Sequence, residues 1–233
     1  MFFLEYYWTM LILVPGIIFA AYAQHQVSSA YKTYSRVPTK NGMTGADAAR
    51  LLLNANGLNS INIENVAGNL TDHYDPRHKI MRLSSGVGQQ ASVAAVGIAA
   101  HETGHAIQDK EGYWPLRFRG FIVPITGFAS NLAWPLFFIG LLFGQTSGWG
   151  VTFMNLGIIL FSFSLFFTIV TLPVEFNASK RAITALVDNN LLQPGEEVGV
   201  KKVLRAAALT YVAAALMALL TLIRLLVLRG SRD

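Results

Sequence analysis

Four long apolar segments dominate the pattern of hydrophobic and polar positions along the chain. They cover residues 2–23, 120–143, 149–172 and about 206–228. At about 1.5 Å per residue, each is long enough to cross the roughly 30 Å hydrocarbon core of a bilayer as an α-helix. Residues 24–119, between the first two segments, form the one long polar stretch of the sequence. The pattern therefore predicts a mainly α membrane protein with about four transmembrane helices and a small polar module.

The first apolar segment can be interpreted as a cleaved signal peptide or as an uncleaved anchor. Residues 21–23, Ala-Tyr-Ala, resemble a cleavage site. However, the start of the segment carries Glu5 and no Lys or Arg, whereas a signal peptide begins with a basic region. We therefore expect an anchor helix that is not removed.

Composition agrees with a membrane protein and limits the chemistry. The 233 residues are 53% hydrophobic and 13% charged, with a mean hydropathy of +0.43. Because the chain has no Cys, any zinc site must use His and carboxylate ligands. The net charge of +5 reflects basic residues that flank the apolar segments, and no basic stripe with interleaved aromatic residues is present. We therefore expect the lipid bilayer as a partner and no nucleic acid.

The polar stretch has the pattern of a small α+β module. Thr44-Gly45-Ala46-Asp47 is a capping box that begins a helix, with Leu51, Leu52 and Ala55 on one side and Gly57 after its end. Residues 61–66 and 79–84 alternate like strands, and a turn at 75–78 precedes the second. An Ala-rich helix over about 94–108 follows.

That Ala-rich helix contains His-Glu-x-x-His. His101 and His105 are four residues apart, so both imidazoles project from one face of the helix and can share a tetrahedral Zn²⁺. Glu102 lies about 100° round from His101, where it can hold the attacking water as a general base. Gly104 costs about 1 kcal/mol against Ala in a helix interior, which predicts that another element packs closely there. The alternative is a surface helix with two unrelated histidines.

Chain topology indicates where a third ligand comes from. The chain leaves the His pair through the second span and returns through the third, so Glu175 emerges on the same side of the membrane, next to apolar sequence where an unpaired carboxylate is costly. We therefore favour Glu175 as the third ligand over an interfacial Glu that pairs with Lys180 or Arg181. The other carboxylates on that side are Asp47, Glu64, Asp72, Asp75, Asp109, Glu111, Asp188, Glu196 and Glu197.

The distribution of basic residues predicts that the module is cytoplasmic. The module side carries Lys32, Arg36, Lys40, Lys110, Arg117, Arg119, Lys180, Arg181, Lys201, Lys202 and Arg205, and the other side has no Lys or Arg before residue 224. The C-terminal end conflicts with this orientation, because four spans would place the basic residues Arg224, Arg229 and Arg232 outside. Either their side chains extend to the interface or the last segment does not span.

Three stretches together resemble the bacterial membrane neutral zinc metallopeptidases, the YugP-like proteins. They are His101–Asp109 (HETGHAIQD), Thr71–Arg77 (TDHYDPR) and Pro173–Ser179 (PVEFNAS), and the resemblance covers nearly the whole chain. The second half also resembles the wider group of membrane gluzincins of the Ste24 and HtpX type, which carry Glu-x-x-Ala-Asp after a span.

This resemblance implies one Zn²⁺ per chain on His101, His105 and Glu175, with Glu102 as the base. Ser179 stands where the wider group has Asp, one turn beyond Glu175, and can hydrogen-bond a ligand from there. The resemblance also implies a multi-pass protein of the bacterial inner membrane with a zincin-like module between the first and second spans. The expected domains are an anchor at 1–23, a cytoplasmic module at 24–119, and 120–233 with three further spans and a cytoplasmic segment at 174–205.

The predicted function is a zinc-dependent endopeptidase at the cytoplasmic membrane face. Its substrate is expected to be a membrane protein or its cytoplasmic segment, in quality control or processing. The strand at 79–84 is expected to pair with an extended substrate. His73, Tyr74, His78 and Arg181 are candidates for stabilising the oxyanion; the alternative is that each is an ordinary turn or interface residue. The alternatives are a non-catalytic zinc-stabilised membrane scaffold and a zinc hydrolase of lipids or other non-peptide bonds.

Overall fold

A computed structural model describes residues 2–143 and 148–230. The elements, in chain order, are α1 (Phe2–Thr9), a 3-10 turn (Met10–Leu13), α2 (Val14–Tyr34), α3 (Gly45–Ala55), β1 (Asn62–Val66), β2 (His73–Asp75), β3 (Ile80–Ser84), α4 (Ser85–Gly88), α5 (Val93–Lys110), α6 (Trp114–Phe143), α7 (Gly148–Asp188) and α8 (Glu196–Gly230). Most of the short stretch at 144–148, between the second and third apolar segments, and Arg232 lie outside the described residues.

Four of the described helical segments are long and apolar enough to cross a membrane. They are Tyr6–Tyr34, Trp114–Phe143, Gly148–Asp188 and Glu196–Gly230. The first segment contains the 3-10 turn just before Pro15, whose ring would clash with the carbonyl four residues earlier in a regular α-helix. The helices extend beyond the apolar windows read from the sequence, because polar residues continue the same helical turns outside the windows.

Pro173 directly follows the third apolar segment and, as a residue that usually marks a helix end, predicts an end there, but the helix does not end at this residue. α7 runs without a break from Gly148 to Asp188, with Pro173 in its interior. Proline removes one backbone hydrogen bond, a loss that long membrane helices tolerate when neighbouring groups cover the freed carbonyl. The single helix consequently carries both the third apolar segment and Glu175.

The chain divides into two compact units. One contains the chain up to Ala23, Phe118–Leu172, and the residues from Thr210 onward. Its core includes Phe137 of α6, Met154 of α7 and Leu225 of α8. Arg224, whose side chain was expected to extend to the interface if the last segment spans, is only 4% exposed, and its guanidinium lies over the ring of Tyr6.

The other unit contains Gln24–Arg117 and Pro173–Leu209, with α5 at its centre. α5 is buried along nearly its whole length, between α3, the sheet and the parts of α7 and α8 in this unit. The predicted capping box is confirmed: the Thr44 side chain accepts from Asp47 N–H, and the Asp47 carboxylate accepts from Thr44 N–H. The buried side of α3 was predicted only in part, because Leu52 is fully buried but Leu51 is 46% exposed.

The three strands form one sheet in the order β1-β3-β2. β3 pairs in parallel with β1 and antiparallel with β2. Both edges of β3 are therefore occupied, so the expectation that this strand pairs with a substrate is wrong. The strand order depends on long-range pairing, which alternation within one strand does not reveal. The edge strands of this sheet are β1 and β2.

Candidate metal centre

α5 presents the two predicted histidines on one face. The helix begins after Ser92, whose side chain accepts a hydrogen bond from Ala95 N–H at 3.2 Å. His101 and His105 lie one turn apart, and their ring centroids are 4.8 Å from each other with the rings nearly perpendicular. The helical spacing of the motif therefore brings two imidazoles to one point, as the sequence predicted.

α7 brings Glu175 to the same point. Its Oε2 lies 3.2 Å from Nε2 of His101 and 3.6 Å from Nε2 of His105. The approach depends on Gly104, because a Cβ at that position would lie 2.4 Å from the backbone oxygen of Ala178. The close packing that Gly104 predicted is thus with α7.

The three donors fit a zinc ion. One ligand atom from each of His101, His105 and Glu175 lies within 4.8 Å of the others. Ligand atoms around a tetrahedral Zn²⁺, at bonds of 2.0–2.2 Å, are separated by about 3.3 Å. The distances of 3.2 and 3.6 Å match that separation. Two imidazoles and one carboxylate are also a donor set that Zn²⁺ accepts readily.

Glu102 lies beside this group in a buried position. The residue is 8% exposed, and one oxygen of its carboxylate accepts the backbone N–H of Tyr74 in β2 at 2.9 Å. Burial raises the pKa of Glu102 to about 7, against an opposing effect of His101. A carboxyl group with a pKa near neutrality can both take and release a proton at the pH of a cell.

Each histidine has a second partner on its other ring nitrogen. Nδ1 of His101 lies 3.1 Å from the hydroxyl of Ser179, which the sequence had indicated as a hydrogen-bonding residue. Nδ1 of His105 lies 3.0 Å from Oε1 of Gln108, which the sequence analysis did not single out. Gln108 follows His105 by three residues and lies on the same helix face, so this spacing could have identified it as a hydrogen-bonding partner of His105.

The four oxyanion candidates have other hydrogen-bonding partners, and Nδ1 of His73 lies 2.8 Å from the Thr71 carbonyl oxygen. The hydroxyl of Tyr74 donates to Asp109 at 2.8 Å, and burial and this bond raise the pKa of the phenol. His78 is exposed and lies 2.7 Å from Asp75, whose pKa its ring lowers through a hydrogen bond. Arg181 donates to Asn177 and pairs with Glu111. Among the hydrogen bonds of these candidates in the described part of the chain, the one to Glu102 comes from the backbone N–H of Tyr74.

Comparison with known proteins agrees with this geometry. Residues 9–230 match the family described as "Putative neutral zinc metallopeptidase". The chain is 44% identical over 223 residues to the "Putative membrane protease YugP" of Bacillus subtilis (strain 168), an alignment that covers 95% of this chain and 97% of that protein. No solved structure matches the chain. The chain therefore belongs to the neutral zinc metallopeptidase family, whose metal is Zn²⁺.

Proposed function

We propose that this protein is a membrane-embedded zinc endopeptidase that hydrolyses peptide bonds at the cytoplasmic face of the membrane. The observation that carries this proposal is the convergence of His101, His105 and Glu175 beside the buried carboxylate of Glu102. Among the described residues this group supplies three protein ligands, which leaves a fourth tetrahedral position for water or substrate. A structural zinc site is instead closed by four protein ligands, so the arrangement favours an enzyme over a scaffold.

The chain's own residues divide the chemistry between them. His101, His105 and Glu175 would hold the zinc, which when bound would polarise the scissile carbonyl as a Lewis acid and make water more acidic. Glu102 takes the proton of the attacking water and delivers it to the departing amine. The N–H of Tyr74 holds the Glu102 carboxylate in place. Ser179 and Gln108 orient the imidazoles of His101 and His105 through Nδ1.

The substrate is proposed to lie along β2. In the antiparallel pair with β3, Tyr74 is opposite Met81, and its N–H is directed away from β3 towards Glu102. Since bonded and non-bonded pairs alternate in such a ladder, the Tyr74 carbonyl is also directed to the outer edge. An extended peptide that adds to this edge would pass beside Glu102.

The proposed location follows from the spans and the basic residues. The anchor at 1–23, the module at 24–119 and the segment at 174–205 within 120–233 would place the zinc ligands on the cytoplasmic side. The grouping of Gln24–Arg117 with Pro173–Leu209 in one unit supports this division. A site at the membrane surface favours membrane proteins or their cytoplasmic segments as substrates, in quality control or processing.

Two experiments test the proposal. Detergent-purified protein should cleave an unstructured test protein, lose this activity to a zinc chelator and regain it with added Zn²⁺, whereas Glu175→Ala should bind little zinc.

The second experiment determines on which side of the membrane the module lies. Because the chain contains no Cys, a single introduced cysteine is the one thiol that a labelling reagent can modify. Asn69→Cys in the module should be protected from an impermeant thiol reagent in intact cells, and Ser147→Cys should be labelled. The reverse pattern would place the site outside.

A further inference from the structure

A line of side-chain hydrogen bonds leads from His105 to α7. Nδ1 of His105 meets Oε1 of Gln108 at 3.0 Å. The Nε2 group of Gln108 donates to the Val174 carbonyl at 2.8 Å and to Oδ1 of Asn177 at 2.9 Å. Oδ1 of Asn177 also accepts from Nε of Arg181 at 2.6 Å. We call Gln108, Asn177 and Arg181 the amide network.

The donor and acceptor atoms of each residue in the amide network can be assigned, because Arg181 can only donate. A guanidinium is a donor only, so the Asn177 atom that faces Arg181 must be its carbonyl oxygen. That oxygen can accept from Gln108 as well, so Gln108 must direct its NH₂ towards it. The Val174 carbonyl, which can only accept, requires the same orientation of Gln108. Exchanging O and N in either amide would bring two donors or two acceptors together.

The orientation of the Gln108 amide determines which ring nitrogen of His105 carries a proton. With its NH₂ group directed to α7, Gln108 can present only a carbonyl oxygen to the imidazole. The Nδ1 atom of His105 must therefore carry a proton and donate. Gln108 is completely buried, so water does not offer the ring a competing partner. The remaining nitrogen, Nε2, faces Glu175 at 3.6 Å, and in a neutral ring with a proton on Nδ1 it is the nitrogen that carries the lone pair for a metal.

We propose that Gln108, Asn177 and Arg181 are positioning residues that hold His105 as its Nδ1–H tautomer, with the Nε2 lone pair directed to the metal. The inference rests on the proposed zinc site. It also assigns Arg181 a role other than oxyanion stabilisation. Its other bond, to Glu111 at 2.6 Å, keeps the guanidinium at the end of the network. The partner of His101 differs, because the Ser179 hydroxyl can donate or accept and imposes no tautomer.

The test is the zinc dissociation constant of the full-length protein in detergent, measured by competition with a chromophoric chelator. Gln108→Leu removes the acceptor at similar volume and should raise the dissociation constant by about 10–100-fold. Asn177→Leu should act in the same direction. Asn177→Asp retains an oxygen that accepts from both Gln108 and Arg181, so its dissociation constant should stay within about threefold of wild type. This rescue separates hydrogen-bond polarity from simple packing.

Thr103→Val is the matched control. Thr103 is also completely buried in α5, and its hydroxyl donates only within the helix, to the Ala99 carbonyl. Its zinc affinity should equal that of wild type, and thermal unfolding should show all variants folded. If Gln108→Leu does not fold, the two Asn177 variants decide the matter.

Three outcomes would overturn the inference, and one of them concerns the proposed function as well. Wild-type affinity in Gln108→Leu or Asn177→Leu would show that the amide network does not position His105. Equal losses in Asn177→Asp and Asn177→Leu would show that Asn177 acts through packing. If His105→Ala loses zinc while either of these two results is found, the amide network is refuted but the assignment of His105 as a zinc ligand stands. Retention of zinc in His105→Ala would overturn the site itself.

Discussion

Replacing Gly104 with alanine should damage the metal centre without touching a ligand. The added Cβ would lie 2.4 Å from the Ala178 oxygen, 3.0 Å from its carbonyl carbon and 3.2 Å from its Cα. These are backbone atoms of α7, which cannot move aside by rotating a side chain. Since Cβ atoms do not approach other atoms closer than 3.0 Å, α5 and α7 must separate by about 0.6 Å or more.

The ligands lie on both sides of this contact. His101 and His105 move with α5, and Glu175 moves with α7, three residues before Ala178. Zinc sites tolerate deviations of only about 0.2 Å in ligand distance, so the separation should lower zinc affinity about tenfold or more.

The effect on folding stability should be smaller. Overpacking costs about 1–3 kcal/mol, and the better helix propensity of alanine offsets about 1 kcal/mol. The free energy of unfolding should therefore fall by about 0–2 kcal/mol, a small loss compared with the effect on zinc.

The assay is chelator competition for zinc, with thermal unfolding measured in parallel. Gly97→Ala is the matched control because it lies in the same helix, and its Cβ would first meet Cγ1 of Val200 at 3.3 Å. That side chain can yield by a few tenths of an ångström, so Gly97→Ala should bind zinc like wild type. Wild-type zinc affinity in Gly104→Ala would refute the reasoning that this glycine sets the distance between the ligands.

Three further substitutions test individual contacts. Ser179→Asp should tighten zinc binding in chelator competition, because a carboxylate is a stronger acceptor for His101 Nδ1 than a hydroxyl; weaker binding would contradict this role. Thr44→Ala removes the side-chain cap of α3 and should lower stability by about 1 kcal/mol in thermal unfolding, with zinc affinity unchanged. Asp72→Ala leaves the buried N–H of Ser84 without its carboxylate acceptor and should cost about 1–3 kcal/mol; no loss of stability would show that this bond is dispensable.

The sequence predicts the features that depend on local pattern. Residue spacing placed His101 and His105 on one helix face, and the cost of glycine in a helix predicted the close contact at Gly104. The alternation of apolar segments indicated that Glu175 returns to the same side, and the structure brings its carboxylate to 3.2 Å from His101.

Features that depend on distant pairing were not predictable in this way. The central position of β3 results from its parallel pairing with β1, a partner that strand alternation does not specify. Pro173 usually indicates a helix end, but α7 continues through it. Gln108 could be assigned to the face of His105, whereas its contact with Asn177 joins residues on separate helices and required the structure.

The measurement that tests the central claim most directly compares wild type with Glu102→Gln. Both detergent-purified proteins are assayed for cleavage of an unstructured test protein, and bound zinc is quantified in each. We expect one zinc per chain in both, cleavage by wild type, and a loss of activity in Glu102→Gln of at least about 10²-fold, because the amide cannot accept the water's proton. Equal cleavage by both would show that Glu102 is not the base. Zinc in both proteins with no cleavage by wild type would contradict the peptidase and favour a zinc-stabilised scaffold or a non-peptide substrate.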